Sequence, residues 1–245
     1  MNTNTRKLVS VVAIVGSILA LNAFLVGVSS ASEISRTNGS IILPAEDSDG
    51  ADLRTVNGRI EVGQGIKVGN VKTVNGRISI GPEATAKDVK TTNGRISIEE
   101  GSATGNVRTT NGRINIDAAM VDGDVRTTNG KIDISDSTKI EGRVVSTNGG
   151  IDLRNSLVTK DIETSNGKIH LRNSEVQGDI IINERRGWSL FHFGHWDKPE
   201  VVIGPKSVVK GSIIAHQDIK LYIHEDASVG KIDGAEAKYF SGDRP

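Results

Sequence analysis

The amino-acid sequence predicts an all-β fold, a three-sided β-helix or β-solenoid of about ten 18-residue coils. Three observations predict it. Asn-Gly pairs recur at Asn38, Asn57, Asn75, Asn93, Asn111, Asn129, Asn148 and Asn166, at intervals of 19, 18, 18, 18, 18, 19 and 18 residues. Aliphatic and polar residues alternate on either side of each pair, as in "VRTTNGRINI" from Val107. Aromatic residues make up only 3% of the 245, while glycines number 28, so the core must be built from small aliphatics between frequent turns. Self-similarity at this period marks a solenoid, in which each repeat buries its apolar face only by stacking on its neighbours.

The chain opens with a different kind of segment. Arg6 and Lys7 precede an apolar run from Leu8 to Val28, and "SSAS" follows. A positive start, an apolar stretch and a small-residue site read as a secretory signal peptide over residues 1–32, cleaved after Ala31 or Ser32. The run is also about long enough to span a bilayer, which leaves an uncleaved anchor as the alternative. Both readings place the rest of the chain outside the cytoplasm.

Residues 33–234 form the solenoid. Each repeat aligns as an aliphatic, a basic residue, Thr, any residue, Asn-Gly, a basic residue, then Ile-x-Ile. The period-two alternation predicts two short strands, and Asn-Gly between them is expected to supply positive φ at a sharp corner. The looser part, such as "AMVDGD" at 119–124, predicts a third short strand and another corner. On this reading Val107, Thr109, Ile114, Ile116 and Val121 point inward, and the corner asparagines stack as an amide ladder. Aliphatic spacing does not keep to sixes: Val71 to Ile78 is seven, Ile78 to Ala84 six and Ala84 to Val89 five. That argues against a hexapeptide acyltransferase helix and for a less regular, right-handed coil, although Ile203, Val209 and Ala215 fit sixes locally and leave the hand open.

The recurring T-x-N-G-x-I-x-I pattern over roughly 34–182 resembles the bacterial adhesin family of exported β-strand-repeat proteins. The segment "IGPKSVVKGSIIA" is similar to bactofilins, polymer-forming β-helical proteins. The resemblance implies a β-helical rod and brings no catalytic residues with it.

Thirty basic and thirty acidic side chains balance, so any electrostatic function lies in their arrangement. A basic residue follows Asn-Gly at Arg59, Arg77, Arg95, Arg113, Lys131 and Lys168, with Gly150 interrupting. A second basic column runs through Arg54, Lys72, Lys90, Arg108 and Arg126. Glu83, Asp88, Glu99, Glu100, Asp122 and Asp124 fall in the third segment, so a basic stripe along one edge with acids around the other is expected. A linear cationic ladder suits a linear polyanion or a cell-surface polysaccharide. The same charges also guard a repetitive surface against aggregation. Nucleic acid is excluded as the partner by the export signal and by the absence of interleaved aromatics.

The repeat breaks at "ERRGWSLFHFGHWDKPE", 184–200, which holds both tryptophans. Insertions in repeat proteins map to loops, often on the binding face, so Trp188, Phe191, Phe193 and Trp196 are candidates for stacking on sugars or docking a partner. His192 and His195, with Asp197 near, are weak metal-ligand candidates lacking a fourth partner. No cofactor is implied. The chain has no cysteine, hence no disulfide or thiol nucleophile. Asp133 and Asp152 share a column, but no walled cleft accompanies them, so no enzyme is expected. The tail 235–245 contains Tyr239 and Phe240 and is expected to fold over the last coil as a cap covering Ile223 and Ile232. The opposite edge is expected to be open to self-association. Together these readings predict an exported, non-catalytic solenoid with a structural or adhesive role at the cell envelope. The alternatives are a carbohydrate- or polyanion-binding module and a bactofilin-like filament.

Overall fold

The computed structural model describes residues 33–44, 50–184, 198–242 and 244–245. These residues wind into a β-solenoid of about 11 coils, one more than the sequence suggests, with three parallel sheets of 11, 11 and 8 strands. At a strand spacing of about 4.8 Å the rod is roughly 50 Å long. The first sheet begins at Glu33–Asn38 and contains Val107–Asn111; the second begins at Ile41–Leu43 and contains Ile114–Asp117; the third contains Met120–Val121. Every pairing joins a strand to its equivalent one coil away. Val107 therefore sits opposite Val89 and Val125, and Ile114 opposite Ile96 and Ile132.

This in-register stacking makes each inward position a continuous column. Val107, Ile114, Ile116, Val121 and Thr109 are all buried, as their alternation requires. The buried threonines of the first sheet are hydrogen-bonded. Thr73, Thr91, Thr109 and Thr127 each donate from Oγ1 to the carbonyl of the corner glycine one coil earlier, at 3.2–3.3 Å. A hydroxyl at this position satisfies a backbone acceptor that the tight corner would otherwise strand. The third sheet meets the second along a column of small buried residues, among them Ala84, Ser102, Ala119, Ser156 and Ser207.

The corner glycines do a different job from the one expected. Among the eight Asn-Gly glycines only Gly39 has positive φ, at 127°. At Gly58, Gly76, Gly94, Gly112, Gly130, Gly149 and Gly167 an added Cβ would overlap the carbonyl oxygen of the corner glycine one coil earlier. Glycine is required there by the close approach of stacked backbones. Positive φ is concentrated instead at the turn between the second and third sheets, at Glu83 (57°), Ala118 (45°), Asn155 (49°), Asn173 (46°) and Lys206 (57°).

The insertion leaves the same corner one coil after Asn166, between strands Ile180–Ile182 and Glu200–Ile203. Gln217, in the coil beyond it, donates its side-chain amide to the carbonyls of Ser165 and Asn183, both at 2.6 Å. The C-terminal segment lies against the last full coil as a strand. Ala237–Phe240 adds to the second sheet as its last parallel strand, with Tyr239 in register with Ile223. Tyr239 is 71% exposed, and Phe240 meets the buried His224 edge-on at 5.1 Å.

Candidate functional site: charged and amide columns on the rod

The corner between the first and second sheets carries the predicted ladder in full. Each asparagine from Asn57 to Asn166 donates its Nδ2 to the Oδ1 of the asparagine one coil earlier, at 2.8–2.9 Å, back to Asn38. All seven bonds run in one direction. Aligned amides polarise one another, so the chain of bonds strengthens as it lengthens.

The two basic columns flank this ladder but differ from each other. Arg59, Arg77, Arg95 and Arg113 are exposed on the side of the second sheet, and Lys131 is half-buried. Several of them are already neutralised by acids on that sheet. Arg59 pairs with Glu61 at 3.4 Å and Arg113 with Asp133 at 3.7 Å. Lys131 bridges Asp133 and Asp152. Burial acts to lower the Lys131 pKa, but hydrogen bonds to Asp133 and then Asp152, with their charges, hold it above the usual lysine value. The chain of ions continues through His170, whose ring nitrogens lie 3.5 Å from Asp152 and 3.4 Å from Glu200, to Lys168, 3.3 Å from Glu200. Arg77 and Arg95 have no ion pair among the described residues.

On the first sheet, Arg54, Lys72, Lys90, Arg108 and Arg126 stack in strict register over five coils. All five are exposed, and none has an ion pair among the described residues. The column stops where Val145 and then Glu163 take the place of the cation. On the ladder side of these cations stand Val56, Val74, Thr92, Thr110 and Thr128, half-buried or exposed.

The expected separation of basic edge from acidic edge is only partial. Asp88 and Asp124 lie two residues before Lys90 and Arg126, on the same outer face of the first sheet. They belong to a second ladder, of alternating Asp and Asn, that the repeat pattern did not bring out. Asp52 Oδ1 accepts the backbone N–H of Asn70 at 2.6 Å, and Asp88 Oδ1 that of Asn106 at 3.0 Å. Asn106 Oδ1 in turn accepts from Asp124 N at 3.1 Å, and Asp124 Oδ1 from Arg143 N at 2.9 Å. The signal was there in "DLR", "NVK", "DVK", "NVR" and "DVR", at the repeat period. Burial acts to raise the Asp124 pKa, but the Arg143 backbone bond, then the charge and side-chain bond of Arg143 and the charge of Arg108, hold it below the usual aspartate value.

A pH dependence follows from that lowered value. A carboxyl whose folded pKa is depressed contributes stability above its unfolded pKa, and this is lost as pH falls through the folded value. Melting temperature followed by circular dichroism should therefore hold from neutral pH to the ordinary carboxylate range and fall below it. Asp124→Asn, which keeps an accepting oxygen but no charge, should start lower at neutral pH and fall less steeply in acid. Parallel curves for the two proteins would remove Asp124 from the account.

Trp188, Phe191, Phe193, Trp196, His192, His195 and Asp197 lie outside the described residues. Among the described residues no group of three His, Asp or Glu side chains is arranged to hold a metal ion. Two open grooves lie on the rod's sides, one along the third sheet past Lys139, Glu175 and Lys206, the other along the second past Asn115 and Asp133. Comparison with protein-family models, with curated proteins and with solved structures returned no match.

Proposed function

We propose that this chain is an exported, non-catalytic β-solenoid with a structural or adhesive role at the bacterial cell envelope, and that its basic stripe is the contact surface for a linear acidic polysaccharide. One observation carries the reading: five cations stand in register along the first sheet, with no carboxylate among the described residues paired to them. Like charges stacked at about 4.8 Å repel one another, so an ordered column of them is costly unless an anion screens it. The signal-like segment at 1–32 and the resemblance of the repeats to exported adhesin-type proteins support the location. The aromatic insertion would add a second contact for sugar.

Binding to an anionic polysaccharide, measured by biolayer interferometry, should weaken steeply as salt rises. Replacing Lys72, Lys90 and Arg108 together by Gln should cost about tenfold or more in affinity. Replacing Arg59, Arg113 and Lys131, already paired to acids, should cost less. Binding that ignores salt and both sets of substitutions would leave the stripe as surface protection.

A second reading, a bactofilin-like filament, draws on the strand edge at Ala237–Phe240 that pairs with no further strand among the described residues, since an unpaired edge is a template for another chain. Electron microscopy of the full chain distinguishes the two, long head-to-tail fibres favouring the filament.

A further inference from the structure

We infer that the two ends of the rod fit each other: the last coil of one copy seats on the first coil of a second copy, head to tail, and continues its sheets. This rests on the filament reading just given and names the faces that meet.

Both ends leave strand edges. Glu33–Asn38 and Ile41–Leu43 begin the first and second sheets, and Ile232–Asp233 and Ala237–Phe240 end them, each with a strand on one side only among the described residues. The backbone N–H and C=O groups along such an edge are set to receive a further parallel strand. On the signal-peptide reading, cleavage after Ala31 or Ser32 leaves Glu33 near the start of the exported chain. Side chains at the ends are also short of cover. The partly buried aliphatics that pack on the core, such as Ile34, Leu43, Val229 and Ile232, lie in the first coil or the last two. Tyr239 stands in the inward column of Ile203 and Ile223, yet it is 71% exposed, with no described coil beyond it.

The ends match residue for residue. Coil-to-coil pairing carries one inward column unbroken from Ile34 to Ile232. It carries two others from Ile41 to Ala237 and from Leu43 to Tyr239. A second copy placed one strand spacing beyond the last coil, about 4.8 Å, therefore sets Ile34 on Ile232, Ile41 on Ala237 and Leu43 on Tyr239. The charges agree as well. Glu33, one residue before Ile34, falls on Lys231, one residue before Ile232. Both are exposed, and neither has an ion pair among the described residues. Joining like ends would run the facing strands antiparallel and break every column. Head-to-tail contact uses two different faces and does not close, so it propagates as a fibre. The first sheet continues across each junction, so the cationic column returns once per copy on that sheet and a fibre offers a polysaccharide many contacts in place of one.

The chain has no cysteine, so introduced thiols report the junction without background. Ser35 and Asp233 directly follow Ile34 and Ile232 and are exposed. Across the junction their Cα atoms lie one strand spacing apart, within reach of a disulfide. Full-length Ser35→Cys and Asp233→Cys variants are expressed in a bacterium, and the exported proteins are purified, reduced, and oxidised alone or mixed. Non-reducing gels should show dimers only from the mixture, and a ladder of oligomers from the Ser35→Cys, Asp233→Cys double variant. Adding Glu33→Lys to the Ser35→Cys chain should cut the dimer yield several-fold, and Lys231→Glu in the Asp233→Cys chain should restore it. Dimers formed by either single variant alone place like ends together and overturn the head-to-tail match, leaving a filament of another kind. Fibres seen by electron microscopy without cross-links overturn the match alone. Absence of both fibres and cross-links overturns the filament reading with it.

Discussion

Ile114→Asp is expected to abolish cooperative folding of the central coils. Ile114 is fully buried and sits between Ile96 and Ile132 in an unbroken apolar column. A carboxylate there has no cation, no donor and no route to water. An unpaired charge placed in such a site costs more than about 4 kcal/mol, at the extreme end of single substitutions. In a stacked fold the damage spreads to the coils on either side, whose stability depends on their neighbours. Arg108→Gln, on the outer face of the same coil, is the control and should change stability by no more than about 0.5 kcal/mol. Chemical denaturation of the two variants decides the assignment of inner and outer faces, and similar midpoints would reject it.

The second large effect separates two explanations of the corner glycines. Gly112→Ala should destabilise by about 3 kcal/mol or more, because the new methyl overlaps the Gly94 carbonyl and two coils must move apart. Gly150→Ala, one residue past an equivalent corner, meets nothing closer than 3.6 Å and has no positive φ. It should be neutral or gain about 0.4–1 kcal/mol through a less flexible unfolded chain. If instead both substitutions were tolerated, the close stacking of corner backbones would not be what demands glycine.

That pair also shows where the sequence was readable and where it was not. The Asn-Gly period gave the coil, and alternation within "VRTTNGRINI" gave the inward faces, because both follow from geometry local to one strand. The reason for glycine was not local. It lies in the carbonyl of the preceding coil, whose closeness a single repeat does not reveal. The Asp/Asn ladder is not legible for a similar reason: the backbone N–H groups that Asp88 and Asp124 accept from belong to the next coil. The strand Ala237–Phe240 lacks the Ile-x-Ile signature, and only pairing with Leu221–His224 identifies it. For the candidate site, outward-pointing cations were legible by position. Which of them remain unpaired was not, since Glu61, Asp133 and Asp152 reach the corner column from the neighbouring sheet.

The asparagine ladder has a consequence for the chemical ageing of the chain. In a flexible peptide, Asn-Gly loses ammonia readily: the glycine amide nitrogen attacks the asparagine side-chain carbon, closes a succinimide ring and leaves aspartate or isoaspartate after hydrolysis. Here both participants are held. The N–H groups of Gly58, Gly76, Gly94 and Gly112 donate to the carbonyls of Asn75, Asn93, Asn111 and Asn129 at 3.1–3.2 Å. The departing amide nitrogens of Asn57, Asn75, Asn93 and Asn111 are bonded to the asparagine one coil earlier. Ring closure would have to break both bonds and turn the side chain out of the stack. A repeat built on the most perishable dipeptide is thus preserved by its own folding, and each coil keeps its covalent identity only for as long as it stays closed.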